Sequence, residues 1–416
     1  MIISKIEKLS AWFILLSGWK RHLSLVLAGC ISALAMPPFD FGPVLFLTFP
    51  VLVWGIDGAA SEPSSSIFSR LKGAFKCGFY FGFGYFLAGL WWIGNAFLVE
   101  AEEFAWALPI AVIALPALLA CFWGCATAFS RLFWREHWQR LFVLAASFAL
   151  FEYLRGFVAT GFPWNAISYA TYPSPLFMQS ASILGIYGMT AFAVFCFSSA
   201  GIILPSGTSR MRSRKLVFLL TLGLVTAHTG YGYWRLSNSQ IDYVENVNLR
   251  LVQPVIDQRE KWLPGNEAEI FNRYISLSTS QSEANNTGLS DVTHLIWPES
   301  AFPFLLTERR DALAAISAML PPGTSLITGA ARIEQATAGG SDGLVFNSVY
   351  VIGDQGEIVA AADKIHLVPF GEYLPFQNLA ESLGLRQLAS GPGGFESGSS
   401  RKLLSTLFCA TWCYLL

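Results

Sequence analysis

The chain has 416 residues, of which 53% are hydrophobic and only 13% carry a charge. Because about a quarter of the residues of a typical soluble domain are charged, this composition excludes an ordinary water-soluble protein. The formal net charge of −1 gives no indication of nucleic-acid binding.

The charged residues are spread unevenly along the chain. The first half consists mainly of apolar runs, whereas the second half has the mixed composition of a soluble protein. This asymmetry predicts a transmembrane domain over residues 1–236 and a globular domain over residues 237–416. The seven cysteines show neither the spacing of a disulfide framework nor that of a zinc site.

Several apolar segments are candidates for membrane-spanning helices, each of which needs about 20 apolar residues. The candidate segments are 22–36, 43–57, 75–98, 105–130, 141–158, 177–204 and 216–234. Every second connector between them is basic, and basic connectors stay in the cytoplasm. We therefore expect a multi-pass protein of the bacterial inner membrane with a cytoplasmic N-terminus. Because the number of spans is odd, we expect the chain after residue 234 in the periplasm.

The N-terminal segment leaves one alternative open. Ala33, Leu34 and Ala35 follow an apolar run and are similar to a signal-peptidase site. Residues 36–38 (Met-Pro-Pro) continue directly towards the next apolar segment, which favours an uncleaved helix. Cleavage would leave the topology of the remaining chain unchanged.

Two segments that interrupt the helical pattern are expected on the outer side, residues 36–40 and residues 161–165 (Gly-Phe-Pro-Trp-Asn). Their aromatic side chains suit either the headgroup layer of the membrane or a lip that guides a lipid towards the globular domain. Glu152 and Arg155 are expected to pair with each other or to line a polar cavity, because isolated charges are costly inside a membrane.

The second half of the chain has the patterns of an α/β domain. The segments with the pattern of strands are 247–254, 294–297, 325–330, 346–352 and 357–362. The segments with the pattern of helices are 266–283 and 307–319, with Asn266 and Thr307 as their expected N-caps. Strands that alternate with helices indicate a layered α/β architecture.

Two ionisable residues, Glu299 and Lys364, come directly after predicted strands. Strand ends are where α/β folds usually place catalytic groups. Such a carboxylate can take a proton from a nucleophile, and such an ammonium can stabilise an oxyanion. The same pair can also be a structural salt bridge, and the local pattern does not distinguish the two interpretations.

Lys364 also begins a turn that contains a second carboxylate. Residues 363–375 are Asp-Lys-Ile-His-Leu-Val-Pro-Phe-Gly-Glu-Tyr-Leu-Pro, with a Pro-Phe-Gly turn before Glu372. Proline and glycine fix the course of such a turn. We therefore expect Lys364 and Glu372 to be held in place relative to each other.

Residues 296–301 (Ile-Trp-Pro-Glu-Ser-Ala) and 363–375 together closely resemble the apolipoprotein N-acyltransferase family, a membrane-bound branch of the nitrilase superfamily. The resemblance extends over nearly the whole chain. It also covers residues 252–254, 261–262, 328–329 and 346–348, and the multi-span first half with its Gly-Phe-Pro-Trp-Asn segment. The fold that this resemblance implies is a multi-span α-helical membrane bundle followed by a nitrilase-like α-β-β-α sandwich on the outer face of the membrane.

The resemblance also implies a Glu-Lys-Cys catalytic set. Glu299 matches the general base, Lys364 matches the lysine that stabilises the oxyanion, and Glu372 matches a second glutamate that supports the site. The implied reaction moves an acyl chain from a phospholipid to a cysteine. From this thioester, the chain passes to the free α-amine of a diacylglyceryl-cysteine on an apolipoprotein. The resemblance implies neither a metal nor a nucleotide cofactor.

The family's nucleophile lies in a Cys-Tyr-Glu run, which this chain matches in part. Cys413 and Tyr414 match, but Leu415 stands where the glutamate is expected. We take Cys413 as the expected nucleophile and Cys409 as the alternative. The family continues through further strands and a last membrane helix. We therefore expect a sandwich that is incomplete at its C-terminal end, from a truncation or frameshift near residue 406, and weak or absent transferase activity.

Two other functions fit parts of the sequence. A membrane-tethered nitrilase-type amidase would share Glu299 and Lys364, but a small soluble amide needs no multi-span bundle. A transporter would be expected to show paired interrupted helices and charges at the membrane midplane, and only Glu152 and Arg155 come near that pattern. A lipid substrate is therefore the favoured interpretation.

Overall fold

The computed structural model describes residues 2–59, 66–98, 101–135, 137–204, 211–263, 265–281, 287–334, 343–369, 371–373, 394–406 and 410–411. The chain forms two compact units, Met1–Ile241 and Asp242–Leu416.

The described part of the first unit consists of helices and short connecting turns. Its α-helices are α1 (Ile2–Leu15), α2 (Gly18–Ser32), α3 (Leu45–Gly58), α4 (Ile67–Leu90), α5 (Ala101–Phe104), α6 (Leu108–Leu132), α7 (Arg140–Arg155), α8 (Pro175–Met178), α9 (Ala181–Ile203) and α10 (Met211–Asn238). A helix overlaps each apolar segment predicted to span the membrane. The sequence patterns did not predict α1, in which charged residues interrupt the apolar run.

Within the described residues, four helical segments are long and apolar enough to cross a membrane. They are Ile67–Leu98, Ala105–Leu132, Ala181–Ile203 and Met211–Asn238. The helices α2, α3 and α7 have 15, 14 and 16 residues and are shorter than a complete span of about 20 residues. The first unit is therefore a helical membrane part, and the count of seven spans stays a prediction.

Glycines allow α2, α4 and α6 to pack closely. A Cβ atom on Gly29 would lie 2.0 Å from the carbonyl oxygen of Phe81, and one on Gly78 would lie 2.2 Å from that of Trp123. Since lipid gives helices no hydrophobic reason to associate, such close approach stabilises a membrane bundle through van der Waals packing. Trp123 is fully buried and contacts the rings of Phe81 and Phe148.

Glu152 and Arg155 on α7 form a buried ion pair, which confirms the pairing expected for these two charges. Glu152 also accepts a hydrogen bond of 2.6 Å from the indole N–H of Trp123. The guanidinium of Arg155 donates to the carbonyl oxygens of Phe162 and Trp164. The pair therefore ties the aromatic segment after α7 to the helical core.

The second unit is an α/β domain. Its helices are α11 (Gln258–Lys261), α12 (Glu267–Thr279) and α13 (Arg310–Met319). Its strands are β1 (Leu249–Leu251), β2 (His294–Ile296), β3 (Ser325–Glu334), β4 (Leu344–Ile352), β5 (Ile358–Asp363), β6 (Leu404–Ser405) and β7 (Ala410–Thr411). The first five strands form one sheet in chain order, parallel from β1 to β3 and antiparallel from β3 to β5, and β6 pairs with β7.

Apolar residues of α12, α13 and the sheet form one hydrophobic core. Trp297, directly after β2, is 3% exposed and donates its indole N–H to the hydroxyl oxygen of Ser278 on α12 at 2.9 Å. Tyr274 on the same helix packs against the Trp297 ring, with 4.8 Å between ring centroids. This packing fixes the chain just before Glu299.

Asn266 is the N-cap residue of α12, as predicted, whereas Thr307 is not the N-cap of α13. The side chain of Asn266 makes no cap hydrogen bond; its amide donates instead to the carbonyl oxygen of Glu260. Thr307 lies inside a 3-10 turn, Leu306–Glu308, and α13 begins at Arg310. The position predicted for the first cap was therefore right, although its side chain is bonded elsewhere. The second prediction was wrong, because the chain forms a 3-10 turn at Thr307 before the α-helix begins.

Candidate active site

Glu299 lies in a sharp turn at the end of β2. The next residue, Ser300, has a φ of 50°, in the left-handed region. The amide of Ala301 donates to the carbonyl oxygen of Gly329 in β3 at 2.9 Å. A Cβ atom on Gly329 would lie only 2.6 Å from Cα of Glu299, so the close approach of this turn to β3 requires a glycine.

Lys364 follows β5 directly and faces two carboxylates. Its backbone N–H donates to the carbonyl oxygen of Asn347 in the neighbouring strand β4 at 2.7 Å. Its ammonium donates to Oε1 of Glu299 and to Oε1 of Glu372, each at 3.1 Å. The structure therefore brings three of the four predicted site residues together; the fourth, Cys413, lies outside the described residues.

Glu372 closes the turn that begins at Lys364. Its backbone N–H donates to the carbonyl oxygen of Val368 at 2.8 Å, and its Oε2 accepts the backbone N–H of Val368 at 2.8 Å. Main chain and side chain thus both fasten the turn, as its sequence predicted. Phe370, Leu374 and Pro375 of the predicted turn lie outside the described residues, as does Cys409.

Asn347 completes the cluster, although the sequence patterns did not mark it as a site residue. Its side-chain nitrogen donates to Oε1 of Glu299 at 2.6 Å and to Oε1 of Glu372 at 2.7 Å. The residue is only 6% exposed. One buried amide therefore holds both carboxylates on the same side of Lys364.

The two glutamates differ in which of their oxygens are occupied. Both oxygens of Glu372 accept hydrogen bonds, and its side chain is 11% exposed. Only Oε1 of Glu299 accepts hydrogen bonds within the described part of the chain, and this side chain is 63% exposed. Oε2 of Glu299 is therefore the carboxylate oxygen that can receive a proton from a bound molecule.

The contacts also determine the charge of the cluster. Burial acts to raise the pKa of Glu299, but the hydrogen bond from Asn347 and the charge of Lys364 outweigh it and lower that pKa. Burial acts to lower the pKa of Lys364, but its hydrogen bond to Glu372 and the charge of Glu299 raise it. Near neutral pH, Glu299 is therefore an anion and Lys364 a cation.

The segment 395–398 forms backbone hydrogen bonds with Glu372 and Lys364. The backbone N–H of Phe395 donates to the carbonyl oxygen of Glu372 at 2.9 Å, and that of Gly398 donates to the carbonyl oxygen of Lys364 at 2.8 Å. Both ends of the turn between these ionisable residues are thus held by one later stretch of chain.

Arg332 in β3 fixes the residue before the lysine. Its guanidinium donates to the two carboxylate oxygens of Asp363 at 2.8 and 2.9 Å, and the Ser348 hydroxyl donates to the same carboxylate at 2.7 Å. A two-pronged ion pair of this kind defines orientation as well as distance. It therefore fixes the point at which Lys364 leaves β5.

Arg332→Met is expected to destabilise the second unit by about 2 kcal/mol, the value of charge-assisted hydrogen bonds, because it leaves Asp363 without its cation. Chemical denaturation of the purified chain measures this loss. Arg332→Lys keeps the charge but not the fork, so it should recover only part of the stability. A Met variant as stable as the unsubstituted protein contradicts the expectation.

Asn347→Ala is expected to raise the pKa of Glu299, because it removes a hydrogen bond that favours the carboxylate. The acid limb of the pH–rate profile of acyl transfer, the reaction that the family resemblance implies, should then move to higher pH. The rate at neutral pH should fall at least about tenfold, given the usual energy of a hydrogen bond to a charged group. The control is Asn248→Ala, because the Asn248 amide donates to a carbonyl oxygen elsewhere in the unit. Equal profiles for the two variants contradict this prediction.

Among the described residues, no group of three His, Cys, Asp or Glu side chains is arranged to hold a metal ion. The chemistry that the cluster itself offers is proton transfer at Glu299 and stabilisation of an anion at Lys364.

Comparisons with known proteins cover nearly the whole chain. Residues 28–199 match the family model described as apolipoprotein N-acyltransferase N-terminal domain. The chain is 47% identical to an apolipoprotein N-acyltransferase of Allorhizobium ampelinum over 399 residues, which is 96% of this chain and 74% of that protein. Proteins of the same name from Agrobacterium fabrum and Brucella suis biovar 1 are 45% and 44% identical over the same shares.

Proposed function

Because this chain belongs to the apolipoprotein N-acyltransferase family, we propose that it transfers a fatty acyl chain from a phospholipid to the N-terminal amine of diacylglyceryl apolipoproteins. The protein is an acyltransferase of lipoprotein maturation. The observation that best supports a cysteine thioester route is that the two carboxylates beside Lys364 differ in their hydrogen bonding. Lys364 donates to both of them, and within the described part of the chain Glu299 is the one of the two that keeps an oxygen without a hydrogen bond.

In the first half-reaction, the thiol of the nucleophilic cysteine gives its proton to Oε2 of Glu299 while its sulfur attacks the ester carbonyl carbon of the phospholipid. Negative charge develops on the carbonyl oxygen, and the Lys364 ammonium stabilises it. When the intermediate collapses, the bond to the glycerol oxygen breaks and that oxygen takes the proton from Glu299. The products are a lysophospholipid and an enzyme thioester.

In the second half-reaction, the α-amine of a diacylglyceryl-cysteine attacks the thioester carbonyl carbon. The proton released from nitrogen goes to Glu299, the carbon–sulfur bond breaks, and the thiolate takes that proton back. An amide forms on the lipoprotein and the enzyme returns to its starting state. Two substrates that react in turn give ping-pong kinetics.

Glu372 has a positioning role in this scheme. Both of its oxygens accept hydrogen bonds, from Asn347, Lys364 and the Val368 amide. Its side chain is also far less exposed than that of Glu299, so it is the less accessible of the two carboxylates to a proton from substrate. Its charge keeps the Lys364 ammonium in place and protonated. We propose Cys413 as the nucleophile, with Cys409 as the alternative.

The membrane helices of the first unit support a location in the inner membrane. We propose a cytoplasmic N-terminus, a transmembrane domain over residues 1–236 and a periplasmic catalytic domain over residues 237–416. The sheet from β1 to β5 is then one layer of a nitrilase-like α-β-β-α sandwich. A reporter fused near residue 300 should be active in the periplasm; cytoplasmic activity contradicts the proposed orientation.

The purified chain in detergent tests the reaction with a phospholipid carrying a labelled acyl chain and a diacylglyceryl peptide. We expect label on the protein that hydroxylamine releases, and transfer of this label to the peptide amine. Cys413→Ser should abolish the protein-bound label, whereas Cys409→Ser should not. An unsubstituted chain that labels neither protein nor peptide contradicts the proposal and agrees instead with the weak or absent activity expected from the sequence. Release of ammonia from small amides indicates an amidase.

A further inference from the structure

His294 is the first residue of β2, the strand that leads to Glu299. It is only 3% exposed, and both of its ring nitrogens have a partner. Nδ1 lies 2.9 Å from the hydroxyl oxygen of Thr293, and Nε2 lies 3.0 Å from the hydroxyl oxygen of Thr406. These two contacts hold the buried imidazole in one orientation, and the proposed reaction makes no use of it.

The Thr293 hydroxyl determines which nitrogen of this imidazole carries the proton. Its oxygen accepts the backbone N–H of Asn248 at 2.9 Å, and its one proton is donated to the carbonyl oxygen of Asn248 at 3.0 Å. The contact with His294 is therefore a donation from Nδ1–H to the Thr293 oxygen. Burial lowers the pKa of His294, so Nε2 stays unprotonated near neutral pH and accepts a hydrogen bond from the Thr406 hydroxyl.

Thr406 directly follows β6, which lies on the face of the sheet that carries the catalytic cluster. Leu404 in β6 is 2% exposed and belongs to one hydrophobic cluster with Val351 of β4. Val351 comes four residues after Asn347 in the same strand, so the two side chains lie on one face of the sheet. Two residues after Leu404, Thr406 reaches His294 on β2. The β6 segment thus crosses this face from β4 to β2.

The strand that pairs with β6 leads to the proposed nucleophile. β7 is antiparallel to β6, with Leu404 opposite Thr411. Cys413 follows two residues after the end of β7. The bond between His294 and Thr406 therefore joins the strand of the proposed general base to the hairpin of β6 and β7 that precedes the proposed nucleophile.

We propose that His294 is a positioning residue of the first half-reaction. Through Thr406 it fixes the β6–β7 hairpin at β2, and it thereby sets the distance between the nucleophilic thiol and Glu299. This inference rests on the proposed function, because it concerns the nucleophile and the general base of that reaction. A thiol passes its proton to a carboxylate only within hydrogen-bond reach, so a loosened hairpin lowers the rate although every reacting group is still present.

Alkylation of Cys413 by iodoacetamide tests the inference on the full chain in detergent, without a phospholipid. Mass spectrometry of the peptide that contains Cys413 measures the rate. When the thiol lies beside its base, Glu299→Gln should slow this alkylation at least about tenfold. Thr406→Val removes the hydroxyl and nearly keeps the shape of the side chain. In a Thr406→Val chain, Glu299→Gln should change the rate less than about twofold, because the two substitutions act on one contact.

Two variants of His294 separate the two bonds of the imidazole. The amide of asparagine takes the place of Nδ1 and that of glutamine the place of Nε2, and each amide can donate and accept. His294→Gln should therefore keep the slowing by Glu299→Gln, whereas His294→Asn should lose it. Thr279→Val is the matched control for Thr406→Val, because the exposed Thr279 hydroxyl bonds within its own helix. This control should keep the full slowing.

Hydrogen exchange of the backbone amides of β6 and β7 shows whether the hairpin loosens. Exchange should be about tenfold faster in Thr406→Val and in His294→Asn, as expected for the loss of a buried hydrogen bond. Exchange in β3 and β4 should be unchanged, which excludes general unfolding. Exchange as slow as in the unsubstituted chain overturns the inference, as does a His294→Gln chain that behaves like His294→Asn. The inference is also wrong if Glu299→Gln slows alkylation equally with and without the Thr406 hydroxyl, or slows it in neither chain.

The proposed function fails separately, in the labelling experiment. A chain whose Cys413 alkylation depends on both Glu299 and Thr406, but which never forms an N-acyl peptide, keeps this positioning role and loses the acyl transfer. A chain that forms the thioester as fast after Thr406→Val as before it keeps the function and loses the inference.

Discussion

Lys364→Met is expected to lower acyl transfer by a factor on the order of 10³, the usual cost of losing a donor that stabilises an oxyanion. The substitution also removes the cation between Glu299 and Glu372, whose Oε1 atoms would then share only the Asn347 amide. Two carboxylates this close resist joint ionisation. We therefore expect the pKa of Glu299 to rise, so the remaining activity should need a higher pH.

The rate of thioester formation against pH measures both effects. Lys402→Met is the control, since it removes an exposed lysine of the same unit that does not bond to the glutamates. A Lys364→Met chain that forms the thioester at the rate of this control would exclude Lys364 from the chemistry. If the acid limb of the pH–rate profile is unchanged in Lys364→Met, the charge of Lys364 does not affect the pKa of Glu299.

Arg155→Met is expected to cost the membrane part about 3 to 5 kcal/mol of stability, as breaking one side of a buried ion pair does. Glu152 is 2% exposed and would keep only the hydrogen bond from Trp123. The carbonyl oxygens of Phe162 and Trp164 would lose their shared donor as well.

Thermal unfolding in detergent measures this loss. The double variant Glu152→Gln with Arg155→Met should recover part of the stability, because no unpaired charge is then left in the core. Arg135→Met, which removes an exposed charge in the same unit, should unfold like the unsubstituted protein. If the single variant Arg155→Met also unfolds like the unsubstituted protein, the ion pair does not have the structural role inferred for it.

The sequence predicted the elements that carry Glu299 and Lys364 because both follow short apolar runs bounded by turn residues. Strand β2 lies inside the predicted 294–297, and β5 covers most of 357–362. The strand predicted over 247–254 was too long; β1 has only three residues, since Pro254 and the loop after it leave the sheet. A pattern that alternates apolar and polar residues shows where a strand can form. It does not show how many of those residues pair with the neighbouring strand.

Asn347 and Arg332 show what the patterns could not provide. Each occupies a polar position in a strand, as a solvent-facing residue would. Their roles depend on strand register, which pairs Arg332 with Phe346 and Ser348 with Asp363. Register depends on the turns that join β3, β4 and β5 and on how the sheet packs, so a single sequence gave no signal for the buried amide beyond its place in the Phe-Asn-Ser motif.

The segment 395–398 has a consequence for how the protein is made. A nascent chain that has extended as far as Glu372 already contains both glutamates, the lysine and the asparagine. It still lacks the backbone N–H groups of Phe395 and Gly398 that anchor the turn from behind. All the contacts of the cluster can therefore form only after Gly398 has left the ribosome, so the complete cluster appears late in the synthesis of this part of the chain.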